Sequence, residues 1–93
     1  MIISDFLVLT TDLSPKLNVF LQSHGELLPT GVIRVLDEQV ILLPLAKPFT
    51  LEKVRQNLGK APHSLPIYAL LNEEKRLIFG FKLTSQGLVL ASN

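Results

Sequence analysis

The sequence predicts an α+β fold in which an antiparallel sheet carries two helices on one face. The expected architecture is a ferredoxin-like βαββαβ core with a C-terminal β-hairpin extension. Apolar runs typical of strands are separated by two amphipathic segments. The resulting order is β-α-β-β-α-β-β-β, and its first six elements match the split βαβ arrangement. A chain of 93 residues corresponds to one domain, residues 1–93.

The first two elements are predicted to be a strand and a helix. Ile2 to Thr10 is a near-continuous apolar run, which is typical of a strand covered on both faces. A helix with Pro15 at its first position would follow, capped by Asp12 or Ser14 and closed by Gly25. Apolar residues at three-and-four spacing would form its buried face: Leu13, Leu17, Phe20 and Leu21.

The middle of the chain predicts a β-hairpin and a second helix. The hairpin consists of Val32–Leu36 and Gln39–Leu45 around the turn Asp37-Glu38. Thr50 is a favourable N-cap for a helix over Leu51–Leu58 that ends at Gly59.

Three more strands are predicted in the last third of the chain, at Ile67–Leu71, Leu77–Leu83 and Leu88–Ala91. Gly80 lies inside the middle one, where a glycine indicates a bulge or a close backbone approach. The sequence contains no recognisable internal repeat and no linker, so we expect a single unit.

The composition predicts a surface that binds another protein. Hydrophobic residues make up 47% of the chain, and charged residues are 18%, below the roughly 25% typical of soluble domains. The mean hydropathy is +0.38. So few charges cannot coat a small domain, which favours an apolar patch covered by a second chain. The predicted interface lies in the C-terminal strands: Leu77, Phe79, Phe81, Leu83, Leu88 and Leu90.

The function predicted first is therefore a small protein-interaction domain with an adaptor, assembly or regulatory role, whose partner is a second copy of itself or another protein. One alternative is a nucleic-acid-binding module that uses the basic residues around the second helix: Lys47, Lys53, Arg55 and Lys60. The net charge of +1 argues against a dominant attraction to nucleic acid or to an anionic membrane. The other alternative is a small-molecule sensor or subunit-interface enzyme, with a pocket lined by the Leu27–Gly31 loop and His63.

No motif in the sequence indicates catalysis or a cofactor. His24 and His63 are far apart and have no neighbouring ligand pairs, so no metal site is expected. The glycines are too dispersed for a phosphate-binding loop.

The chain has no cysteine, which fits a reducing cytosol. Its apolar N-terminal run is too short and too interrupted for a signal peptide or a membrane span. We expect a cytosolic protein that is not an enzyme and has no membrane partner.

Overall fold

The structure, a computed structural model, describes residues 1–92 and contains two helices and six strands in these residues. In chain order they are α1 (Ile3–Leu9), β1 (Val19–Ser23), β2 (Glu26–Val35), β3 (Val40–Pro44), α2 (Leu51–Gly59), β4 (Ile67–Leu71), β5 (Glu74–Thr84) and β6 (Gly87–Ser92). Each strand pairs with the next, and β6 pairs with β1, so the sheet closes into a barrel. The pairs β3–β4 and β1–β6 are parallel, and the other four are antiparallel.

The predicted ferredoxin-like fold is wrong, because the sheet is closed and has no open face for two helices to cover. The predicted C-terminal β-hairpin extension is also wrong, because the last two strands are part of the barrel itself. β6 lies between β5 and β1 and completes the barrel.

The error begins at the first element, which is a helix rather than a strand. Ile3 and Phe6 point into the core at helical spacing, whereas Val8 and Leu9 are exposed. Because apolar residues occupy both the inner and the outer side, the segment reads as a continuous run. Its end is held by Thr10, whose hydroxyl donates to the Phe6 carbonyl at 2.7 Å.

The second predicted element is also wrong, because Leu13–Leu21 contains no α-helix and ends in strand β1. Val19 and Leu21 alternate into the core while β1 pairs with β2 and β6. His24 and Gly25, expected at a helix end, instead form the two-residue turn between β1 and β2. Both have positive φ, 50° and 81°, as tight hairpin turns require.

The remaining helix and strands confirm the sequence-based predictions with shifted ends, except that Leu27–Gly31, predicted as a loop, is part of strand β2. Helix α2 is capped by Thr50, whose side chain accepts from the Lys53 amide, and it buries Leu51, Val54 and Leu58. The bulge indicated by Gly80 is present, since the β5–β6 register shifts between Ile78 and Gly80.

Strands β2 and β5 are about twice as long as the others and bend at bulges. The first part of each strand pairs with the strand before it, and the second part pairs with the strand after it. The register shifts between Thr30 and Val32 in β2, at the corresponding place in its sequence. These two bends turn the sheet enough to close it with only six strands.

The two halves of the chain repeat the same structure. The first half (residues 1–44) contains α1 and β1–β3, and the second half (residues 49–92) contains α2 and β4–β6. Ile3 corresponds to Leu51, 48 positions later, and both are completely buried. The hydrogen bonds between the halves also occur in pairs with this offset. The Ile67 amide donates to the Met1 carbonyl at 3.0 Å, as the Val19 amide donates to the Phe49 carbonyl at 2.9 Å.

The expectation of no internal repeat therefore fails at the level of structure. Position by position, identical residues recur only at Leu17 and Leu65, Glu26 and Glu74, and Leu42 and Leu90. Side chains of both halves fill one continuous core, in which the rings of Phe6 and Phe81 meet edge to face at 6.4 Å.

Candidate protein-interaction surface

Among residues 1–92, three of the seven large apolar side chains that are exposed lie together beside α1. Val8 is 73% exposed, Leu9 57% and Phe79 58%. Phe79 sits at the β5 bulge and lines a shallow groove of about 530 Å³ with Met1, Ser4, Asp5, Val8 and Leu9. We call Met1, Val8, Leu9 and Phe79 the α1 surface. Apolar exposure of this kind, rimmed by polar residues, is typical of protein-binding sites.

Hydrogen bonds hold the start of α1 against β5 and against the connection between α2 and β4. The Met1 nitrogen donates to the Ile78 carbonyl at 2.7 Å, next to Phe79. The Ile3 amide donates to the Leu65 carbonyl at 3.0 Å, and the Ser4 amide donates to the His63 carbonyl at 2.9 Å. The α1 surface is therefore preorganised and needs no partner to form.

Arg55 of α2 holds the other end of α1. Its Nη1 donates to the Leu7 carbonyl at 2.7 Å and to the Thr10 hydroxyl at 2.6 Å. The Leu7 carbonyl, which has no partner within the helix, also accepts from the Thr11 hydroxyl at 2.8 Å. Arg55 was predicted as a member of a basic patch, but its guanidinium is directed at α1.

The internal repeat provides a direct comparison for the α1 surface. The positions equivalent to Val8, Leu9 and Phe79 are Gln56, Asn57 and Gly31. The Asn57 side chain donates to the Lys53 carbonyl at 2.8 Å, and Gln56 is exposed. The same backbone thus forms with polar or absent side chains at these positions. The fold does not need large apolar residues there.

The α1 surface has charge of opposite sign on its two sides. Asp5 is exposed at the rim of the groove that contains Phe79. On the other side of Val8, a groove of about 280 Å³ is lined by Ser4, Leu7, Thr11, Arg55 and His63. An acid therefore borders the apolar stripe on one side, and a cation and an imidazole border it on the other.

The structure distributes the predicted interface residues over three environments. Leu88 and Leu90 lie in the barrel interior, where a partner cannot reach them. Phe81 is partly buried against the core. Phe79 belongs to the α1 surface, and Leu77 lies half-buried on the outside of β5. Leu83 is 55% exposed, but its equivalent Val35 is also 47% exposed, so apolar exposure at this place is common to both halves.

The four basic residues of the predicted patch differ in exposure and orientation. Lys53 and Lys60 are exposed on α2 and at its end, and Lys47 is exposed in the preceding loop. Arg55 is partly buried and bonded to α1. The exposed aromatic ring, Phe79, belongs to the α1 surface rather than to this region. Nucleic-acid binding by Lys47, Lys53, Arg55 and Lys60 stays a prediction.

The predicted small-molecule pocket is not assembled. Leu27 faces the β5–β6 turn in a groove with Thr84, Ser85 and Gln86, whereas His63 lies beside α1. The His63 ring is within 3.3 Å of the Gly59 carbonyl, and His24 is in the β1–β2 turn. Within residues 1–92, no three His, Asp or Glu side chains are grouped closely enough to hold a metal ion.

Val8 and Leu9 were not predicted as surface residues, because their segment has the apolar pattern of a buried strand. The signal was present in the spacing of Ile3, Phe6 and Thr10, which share one helical face. A helix with that buried face has Val8 and Leu9 on its other side.

None of the helices in the described part of the chain is long and apolar enough to cross a membrane. Comparisons of the chain with protein-family models, with curated proteins and with solved structures found no match.

Proposed function

We propose that this chain is a small protein-interaction domain that associates with a second copy of itself through the α1 surface. The observation that carries the proposal is the contrast between the halves. Val8, Leu9 and Phe79 are exposed where the second half has Gln56, Asn57 and Gly31. Folding does not account for the apolar residues, and burial against a partner does. A cytosolic location stays a prediction, made from the sequence without cysteine.

The charges beside α1 favour a second copy as the partner. Asp5 lies on one side of the apolar stripe, and Arg55 and His63 lie on the other. A two-fold axis along the stripe would bring the acidic side of each copy against the basic side of the other. Both copies would then use the same surface patch in the interface, as in most two-fold dimers. Complementary charge gives such contacts their orientation.

The closed barrel also restricts the way in which copies could associate. Every strand in residues 1–92 has a neighbour on each side, although β2 and β5 change from one neighbour to the other along their length. Because closure leaves little unpaired backbone, we propose that association uses side chains on the outer surface. Because the α1 surface consists of only Met1, Val8, Leu9 and Phe79, far fewer than the roughly 20–30 residues per partner of stable complexes, we expect a dissociation constant on the order of 10–100 μM.

The test is the double variant Val8→Gln/Leu9→Asn, which introduces the residues found at positions 56 and 57. We expect the wild-type chain to rise from monomer to dimer mass with concentration in light scattering, and the variant to stay a monomer. Leu36→Thr is the matched control. It removes an exposed leucine elsewhere and introduces the residue at its equivalent position 84. Leu36→Thr should leave the dimer intact. A wild-type chain that remains monomeric at millimolar concentration would contradict the proposal.

A further inference from the structure

The barrel carries a second apolar region on its outer side, across strands β2 to β5. Its side chains are half-buried, alternate with core residues and are not part of the core cluster. Strand register places Val32 beside Leu43, Ile41 beside Tyr68, and Tyr68 beside Leu77. We call these residues, together with Leu70, the outer β3–β4 face.

The internal repeat shows that the fold does not require three of these side chains. The equivalents of Val32, Leu43 and Leu70 are Gly80, Ala91 and Gln22. The corresponding strands therefore pair with a smaller or polar side chain at each of these three positions. The equivalents of Ile41 and Tyr68 are apolar as well, so the apolar surplus of the outer β3–β4 face consists of Val32, Leu43 and Leu70.

The side-chain charges on the outer β3–β4 face are positive. Arg34 lies beside Ile41, is exposed, and forms no ion pair with any residue in the described range 1–92. Lys75 lies beside Leu70, with its Nζ 4.6 Å from the centre of the Tyr68 ring and 2.8 Å from the Gln39 side-chain oxygen. The carboxylates of Asp37 and Glu38 are in the turn beyond the strands. The face thus combines apolar side chains with cations.

We infer that the outer β3–β4 face binds a segment of another protein that presents apolar side chains flanked by carboxylates. The apolar side chains of the segment would cover Ile41, Leu43 and Leu70, and its carboxylates would pair with Arg34 and Lys75. Lys75 is already held over Tyr68, so its position is set before binding. This inference concerns a surface different from the α1 surface and does not depend on self-association.

The experiment selects binders from a displayed library of random peptides, with the full-length chain as target. We expect the selected peptides to be rich in Asp or Glu and in apolar residues, and to bind more weakly as salt rises. Arg34→Glu should weaken their binding about tenfold or more, because it replaces attraction with like-charge repulsion. Lys82→Glu is the matched control, since Lys82 is the exposed cation at the position equivalent to Arg34.

Two further variants separate this surface from the α1 surface. Leu43→Ala and Leu70→Gln introduce the residues of the equivalent positions 91 and 22, which the fold accepts. Both should reduce peptide binding, and Val8→Gln/Leu9→Asn should not. The inference is overturned if no peptide is enriched, if the peptides lack acidic residues, or if Lys82→Glu acts as strongly as Arg34→Glu. The inference is also overturned if only Val8→Gln/Leu9→Asn abolishes peptide binding. That result would instead support the α1 surface as a protein-binding site.

Discussion

The two halves of the barrel have the same backbone design and different surfaces. Each half contributes one helix and three strands, with a tight two-residue hairpin after its first strand and a bulge in its second. Inside the barrel the halves agree in character, as with Val19 and Ile67 or Leu42 and Leu90. Outside they differ, and the apolar surplus is on α1, at the β5 bulge and on the outer β3–β4 face. The interior residues serve the fold, and we attribute the surplus outside to binding.

The interior also contains two places where the halves differ. Thr10 and Thr30 are completely buried in the first half, whereas their equivalents in the second half are Leu58 and Ile78. Thr10 is bonded to Phe6 and Arg55, but the Thr30 hydroxyl has no hydrogen-bond partner among the described residues. One polar substitution in the core is therefore satisfied and the other is not.

Of all equivalent positions, we expect the two bulge residues Gly31 and Phe79 to differ most in how much a substitution by alanine lowers the free energy of unfolding. A Cβ added at Gly31 would collide with the Cβ and backbone of Leu45, whereas the Phe79 side chain points outward. Gly31→Ala should lower the free energy of unfolding by about 2–3 kcal/mol through overpacking. Phe79→Ala should change it by no more than about 0.5 kcal/mol. Urea unfolding at low protein concentration measures both, and equal losses would contradict this account of the bulges.

A smaller loss is expected for Thr10→Val. The substitution keeps the shape of the side chain but removes the acceptor for Arg55 and the donor to the Phe6 carbonyl. We expect a loss of about 1–2 kcal/mol in the free energy of unfolding, because Arg55 then keeps only the Leu7 carbonyl. If Thr10→Val unfolds at the wild-type urea midpoint, Arg55 does not hold α1 through this hydroxyl.

Thr30→Val should have the smallest effect, with the opposite sign. Burying a hydroxyl without a partner is unfavourable, and the equivalent residue is already Ile78. We expect a gain of about 0.5–1 kcal/mol in the free energy of unfolding, measured by the same titration. A loss similar to that of Thr10→Val would mean that the Thr30 hydroxyl has a partner, such as a buried water.

Whether the sequence predicted a helix or strand correctly depended on the residues on the outer side of that element. Helix α2 was predicted correctly, because Leu51, Val54 and Leu58 are separated by polar residues and follow the cap Thr50. Helix α1 was predicted as a strand, because Val8 and Leu9 hide the helical spacing of its buried face. The residues that mislead the fold prediction are the ones we propose for binding, as expected where function opposes a local pattern.

The sequence patterns did not predict that the sheet closes into a barrel. It depends on the parallel pairs β3–β4 and β1–β6, and the second joins residues as distant as Val19 and Leu88. Gly80 indicated one of the two bulges, but nothing in the apolar runs specified which strands become neighbours. The repeat was hidden because the core keeps apolar character without keeping residue identity.

The most direct test of the α1 surface is residue-level NMR of the wild-type chain as it is diluted from millimolar to micromolar concentration. We expect the amide signals of Val8, Leu9 and Phe79 to shift with concentration, whereas those of the equivalent Gln56, Asn57 and Gly31 stay constant. Shifts confined to other regions, or equal shifts at both sets of positions, would show that the contrast between the halves does not mark the site of self-association.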